Sequence, residues 1–235
     1  HSLGCQLRVI RPLHLVTDDA ILARSDFKDL ARAAMHVGGK KVALHIRGPG
    51  LEGRTIFELG QALRDDAAKA GALLLVNDRL DVVLALDLPG GHLGQRSLSP
   101  GHARQIVGPR RILGLSVHDK IEARESRDGQ IDFLMVGTLF STPSHPGAVP
   151  GGVGRLDEIA STTDLPLIGI GGIRPNRVVE VIEAGAHGVA VRGAVWEAPD
   201  PVRAVESFLQ QVESHAGWNP PGGGTPSDSS IGCMQ

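Results

Sequence analysis

The sequence predicts an α/β fold of the (β/α)8 TIM-barrel type: eight parallel strands closed into a barrel, each followed by a helix, in a single domain. Three observations carry that expectation. Short aliphatic runs alternate with amphipathic stretches eight times between residues 13 and 215. Polar and glycine residues of chemical interest gather directly after the aliphatic runs, where the catalytic rim of such a barrel lies. Aromatic residues make up only 3% of the chain against 31 glycines, so the core is expected to be aliphatic and the connections tight.

The first strand is the run Leu13-His14-Leu15-Val16, followed by Thr17-Asp18. Residues 26–37 place Phe27, Leu30, Ala31, Ala34 and Met35 at helical spacing. The second strand spans 41–47 and leaves through Gly48-Pro49-Gly50; residues 55–70 are again amphipathic, with Ile56, Leu59, Leu63 and Ala67 on one face. A strand at 72–76, a helix at 79–86, a brief strand at 91–93 and a helix at 100–107 follow. Then come a strand at 111–115, a helix at 119–127 and a strand at 132–136. Residues 137–154 form the longest loop, too long for an ordinary βα connection; it reads as a lid over the rim or as a plain insertion. A helix at 156–160, a strand at 167–170, a helix at 175–184, a strand at 188–191 and a helix at 201–214 complete the series. Residues 1–12 read as a leader, 13–215 as the barrel, and 216–235, rich in Gly, Pro and Ser, as a disordered tail that buries too little apolar surface to offset its ordering entropy.

Composition excludes several classes. A formal net charge of -2 leaves no basic excess to neutralise a nucleic-acid backbone. No apolar run reaches the roughly 18 residues that would span a bilayer, so no membrane partner is expected. The two cysteines, Cys5 and Cys233, lie near opposite ends, which supports neither a disulfide framework nor a cysteine metal site and makes the cytoplasm the expected location.

Residues 166–176, Pro-Leu-Ile-Gly-Ile-Gly-Gly-Ile-Arg-Pro-Asn, read as strand, glycine turn and helix start. Gly171-Gly172 keep side chains away from the turn, so free backbone N–H groups converge on one point, as they do around bound phosphate. Val191-Arg192-Gly193 closes the eighth strand with another glycine, and the loops after strands seven and eight are the recurrent phosphate site of these barrels. Arg192 adds a charge-assisted contact there or simply sits at the solvent rim. His118, two residues after Ser116, ends the fifth strand; an imidazole there is a proton shuttle or an ordinary surface histidine. His45 and Arg47 stand two apart on the second strand and project to one side, a pair suited to an anionic or carboxylated ligand or merely two polar residues at a strand end. Asn77-Asp78 holds a ligand or Mg²⁺, or caps the next helix.

In this order the pieces resemble the thiamine phosphate synthase and TenI superfamily, from Leu13 to about Val195. The matching text is Leu-His-Leu-Val-Thr-Asp at 13–18, Val-Asn-Asp-Arg-Leu-Asp at 76–81, His-Leu-Gly-Gln at 92–95, Gly-Leu-Ser-Val-His at 114–118, Val-Gly-Thr-Leu-Phe-Ser-Thr-Pro-Ser at 136–144, Ile-Gly-Gly-Ile at 170–173 and Ala-Gly-Ala-His-Gly-Val-Ala-Val at 184–191. The resemblance implies a thiazole phosphate held at Gly171, Gly172 and Gly193. It also implies one of two activities.

The synthases join a pyrimidine diphosphate to a thiazole phosphate with loss of pyrophosphate, using Mg²⁺ and several cations, and Asp78 would be a metal ligand. Their second-strand pattern Gln-x-Arg-x-Lys is His45-Ile46-Arg47-Gly48-Pro49 here, their second magnesium Asp corresponds to Ser97, and the lid Thr and Lys correspond to Ser144 and His145. TenI-type tautomerases move a proton within a carboxythiazole phosphate, need no cofactor, and are similar to this chain at His45-Ile46-Arg47 and Ser116-Val117-His118. Gly48-Pro49 replaces that branch's usual Glu-Lys. The expectation is therefore a tautomerase with His118 as general acid/base, His45 and Arg47 facing the ring carboxylate, and Asn77, Ser116, Thr142, Ser144 and Arg192 among the substrate-binding residues. The alternatives are a divergent Mg²⁺-dependent synthase and a non-catalytic thiazole-phosphate-binding regulator. The partners expected are the phosphorylated thiazole and, in a homo-oligomer, further copies of the chain.

Overall fold

The computed structural model describes residues 9–126, 130–142, 147 and 149–214. The expected tail, most of the expected leader, and Ser144 and His145 of the long loop lie outside the described residues. Eight parallel strands close into a barrel in sequence order: β1 (Leu13–Val16), β2 (Val42–Ile46), β3 (Leu73–Asn77), β4 (Gly90–Leu93), β5 (Ile112–Val117), β6 (Phe133–Val136), β7 (Leu167–Ile170) and β8 (Gly188–Val191). Strands this short and aliphatic pack on both faces, which is why most of their residues are buried.

The alternation of side chains divides the core in two. Outward residues such as Leu13, Leu15, Leu44 and Val76 pack under helices, joining Phe27, Ala31 and Met35. Inward residues, among them Val16, Ala43, Leu75, Phe133, Met135, Ile168 and Ala190, fill the barrel. His14, His45 and His92 lie in the same interior, at most 1% exposed, and the Phe133 ring stacks near His14 and His92 with centroids 5.1 and 5.6 Å apart. Gly114 makes room for this layer, since a Cβ there would strike the Phe133 ring and come within 2.5 Å of His92 Nδ1.

The helices are α1 (Asp19–Leu22), α2 (Phe27–Gly38), α3 (Gly53–Ala70), α4 (Leu80–Ala85), α5 (Pro100–Val107), α6 (Lys120–Glu125), α7 (Gly154–Ala160), α8 (Val178–Glu183), α9 (Gly193–Trp196) and α10 (Pro201–Ser214). None is long and apolar enough to cross a membrane. Three details depart from the sequence reading. The helix expected at 175–184 begins as a 3-10 turn, Pro175–Arg177, before α8. The one-turn helices α1 and α9 are too short to show a period in the sequence; α1 is fixed by Asp18, which accepts from the Ile21 N–H at 2.9 Å. Strands β3 and β5 run further than expected and so carry Asn77 and Ser116 inward at the mouth.

Two polar fixtures brace the barrel. At the end opposite the rim, Arg104 donates to the Gln130, Gly108 and Arg111 carbonyls and to Asp132, which also accepts from the Leu113 N–H at 2.7 Å. Where β1 meets β8, the buried Trp196 donates its indole N–H to the Val16 carbonyl at 2.9 Å, and Arg24 donates to the Trp196 carbonyl at 2.6 Å.

Candidate functional site

A cavity of about 580 Å³ opens at the C-terminal ends of the strands, the rim where the sequence clusters its polar residues. Inward residues of the last strand layer form its floor, including Asn77, Ser116, Met135 and Ala190, with His92 below. Its walls carry Arg47, His118, Thr142, Gly171, Gly172, Arg174, Arg192 and Gly193.

The glycine turn is built as the sequence indicates. Gly171 and Gly172 take φ of 103 and 64, the left-handed region that other residues avoid. A Cβ on Gly172 would stand 2.5 Å from the Ser141 carbonyl oxygen and 2.8 Å from that of Phe140. The turn is locked to the loop after β6 by Leu139 N–H to the Ile170 carbonyl at 2.9 Å and Phe140 N–H to the Gly171 carbonyl at 3.0 Å. Gly193 faces it as the first residue of α9, so the loops after β7 and β8 share one wall with the start of a short extra helix.

Arg192 lines the cavity, with its buried Nε lacking a hydrogen-bond partner among the described residues, and is not simply a solvent-rim residue. It pairs with Asp18 at 2.6 Å, with Glu197 3.9 Å away, so its charge is largely matched from within the protein. Arg47 and Arg174 line the same cavity, and among the described residues no acceptor takes a hydrogen bond from either guanidinium. The sequence reading passed over Arg174; its place just after Gly171-Gly172-Ile173 is the signal that marks it.

His45 does not reach the cavity wall. It is fully buried, one layer below Arg47, with Nε2 2.8 Å from His14 Nδ1 and Nδ1 3.1 Å from the Asn77 amide. Burial pulls its pKa down from 6.5 to about 4. His14 and His92 are lowered well below 6.5, first by burial and then by the neighbouring His45 ring, with Arg47 adding to the effect on His92. His92 Nε2 reaches Ser116 Oγ at 2.9 Å. A carboxylate-facing His45–Arg47 pair is thus replaced by Arg47 alone.

His118 does stand on the wall, half-exposed. Its backbone N–H donates to Glu122 at 2.7 Å, and its Nδ1 lies 3.2 Å from the same carboxylate oxygen and 2.9 Å from the Gln95 side-chain nitrogen. A carboxylate behind an imidazole orients it, a workable arrangement for proton transfer. Thr142 lines the mouth.

Asp78 neither caps a helix nor builds a metal cage. With φ 63 it turns back so that Oδ1 accepts from the Gly94 N–H at 2.9 Å and from the Ser97 hydroxyl, closing the loop after β4. Among the described residues no group of three or more His, Cys, Asp or Glu side chains could hold a metal ion. One carboxylate with an oxygen already committed, beside a neutral Ser97, does not fit the two-carboxylate Mg²⁺ site that the resemblance implies.

Comparison with known proteins completes the picture. The family model described as thiamine monophosphate synthase matches residues 13–195. The thiamine-phosphate synthase of Roseiflexus sp. is 42% identical over 203 residues, covering 86% of this chain and 85% of that protein. The enzyme of the same name from Moorella thermoacetica is 40% identical over 189 residues, covering 80% and 89%. Among solved structures, thiamine phosphate pyrophosphorylase from Pyrococcus furiosus superposes with a TM-score of 0.75 at 32% identity, covering 86% of this chain and 95% of its own. These relatives are named synthases, so they favour that branch over the tautomerase branch expected from His118 and its neighbours. By the extent of the family match and the identity to these relatives, the chain belongs to the thiamine monophosphate synthase (TMP-TENI) family.

Proposed function

We propose that this chain is a transferase of the thiamine-phosphate synthase type, joining a pyrimidine diphosphate to a phosphorylated thiazole with release of pyrophosphate. In that reaction a bond to the thiazole forms as the carbon–oxygen bond to the diphosphate breaks, and the electron pair leaves with pyrophosphate. The developing negative charge needs fixed positive partners, and Arg47 and Arg174 are the guanidinium groups available on the cavity wall. Their presence in one cavity with a glycine turn is the observation that carries the reading. Backbone N–H groups at Gly171, Gly172 and Gly193 suit the thiazole phosphate. A cavity of about 580 Å³ lies within the usual range for small-molecule sites. Because the carboxylates do not match a two-carboxylate Mg²⁺ site, no step is assigned to the ion.

The test is incubation with the pyrimidine diphosphate and the thiazole phosphate, with and without MgCl₂, following pyrophosphate and condensed product. Equal amounts of both support the transferase. Neither product, together with aromatisation of a carboxythiazole phosphate that is lost in His118→Ala, would establish the tautomerase instead.

A further inference from the structure

Inside the barrel, ring nitrogens form a chain whose hydrogen positions follow from its fixed end. His14 Nε2 lies 2.8 Å from the Arg11 carbonyl oxygen, which only accepts, so this nitrogen carries a hydrogen. A neutral imidazole has one N–H, and His14 Nδ1 is therefore a lone pair. It faces His45 Nε2 at 2.8 Å, so that nitrogen carries the next hydrogen. His45 Nδ1 is then a second lone pair, and the structure sets the Asn77 side-chain oxygen 3.1 Å from it.

Two lone pairs cannot face each other without repulsion. The oxygen and nitrogen ends of an amide are nearly isosteric, so the network decides which one meets the ring, and here it is the NH₂ end. The competing arrangement, Asn77 oxygen toward His45, requires an imidazolium at His14 or His45. Both rings are at most 1% exposed, none of their hydrogen-bond partners is a carboxylate, the His92 ring stands 5.5 Å from His45, and Arg47 lies two residues further along β2. Every titratable or charged group facing the pair is therefore another histidine or an arginine, and a buried cation has nothing to balance it.

We propose that His14 and His45 are positioning residues for Asn77: their one-way hydrogen-bond chain turns the Asn77 carbonyl oxygen into the cavity as an acceptor. A ligand presents a neutral donor, an amino or hydroxyl group, to Asn77 itself, while phosphate and carboxylate oxygens turn to the Arg47 and Arg174 guanidinium groups and the glycine turn. The ligand assignment rests on the cavity being the substrate site; the hydrogen positions do not.

The whole ¹⁵N-labelled chain tests this near neutral pH. Long-range ¹H–¹⁵N spectra are expected to show His14 and His45 protonated at Nε2 alone, with a coupling across the hydrogen bond between Asn77 Nδ2 and His45 Nδ1. A hydrogen on His45 Nδ1 overturns the proposal. Adding inorganic pyrophosphate is expected to shift the Gly172 and Gly193 amides and leave the coupling intact; loss of the coupling would mean that Asn77 turns to donate to the anion, and would also overturn it. If pyrophosphate moves nothing while the coupling persists, the transferase reading suffers and the positioning chain stands. In Asn77→Asp, a carboxylate replaces the donor, so the His45 Nδ1 signal is expected to move from the unprotonated to the protonated range. An Nδ1 signal that is the same in both proteins counts against the chain.

Discussion

Acidification should destabilise this barrel through its interior histidines well before most carboxylates titrate. In the folded chain burial lowers His45 from 6.5 to about 4, and His14 and His92 are lowered well below 6.5, first by burial. Between pH 6.5 and about 4 the unfolded chain therefore binds more protons than the folded one. The contribution is complete above pH 6.5 and drains away as pH falls through that window. His45 alone loses about 1.3 kcal/mol between pH 7.5 and 5.5, and His14 and His92 add losses of the same sign, against the roughly 5–15 kcal/mol that holds a typical domain. Urea unfolding at half-unit pH steps from 7.5 to 5 measures this directly. His45 alone is expected to give a slope of about one proton between pH 6 and 5, and His14 and His92 to steepen it; a slope near zero would refute the buried, neutral assignment of these rings.

Three further outcomes follow from the same structure. Gly172→Ala forces a side chain into the left-handed region, at about 1–2 kcal/mol, and against the Ser141 carbonyl, so both stability and calorimetric affinity for inorganic pyrophosphate should fall; unchanged values of both would discredit the glycine turn as a packed anion site. Asp132→Ala strands a mostly buried Arg104 and the Leu113 N–H, and chemical denaturation should report a loss of about 3–5 kcal/mol, with a loss under about 1 kcal/mol contradicting the account of that pair. Ser97→Asp places a second carboxylate against Asp78, so melting in EDTA should drop by about 2–4 °C for each kcal/mol of repulsion and recover in MgCl₂; a melt indifferent to MgCl₂ would show that the two side chains do not converge on an ion.

Most of the architecture was legible because buried parallel strands are short aliphatic runs, and β7 and β8 fall on the expected residues. The softest strand, 91–93, is β4, with Gly90 and Gly91 in it; a side chain at Gly90 would collide with the Ile112 backbone, so close approach rather than β-propensity selects its residues. The glycine turn was legible too, and Gly171 and Gly172 take the positive φ that two adjacent glycines after a strand suggest. What escaped depends on depth and closure. Alternation tells which side His45 and Arg47 face but not that one layer separates them, and it did not single out His14 or His92 at all. The Arg192–Asp18 pair joins the two ends of the strand series, and nothing local to either residue announces it. Asp78 reads as a cap or a ligand because its partners, Gly94 and Ser97, follow the next strand.

The seam between the first and last strands sets a timetable for folding. Val16 receives its indole hydrogen bond from Trp196, and Leu13 pairs with Val189, so the earliest strand waits with an open edge until the final βα unit has been synthesised. Long-range closure of this kind slows folding. During translation the nascent sheet presents unsatisfied amides to its surroundings, and a mutation at Trp196 would lengthen that exposed interval as well as loosen the finished ring.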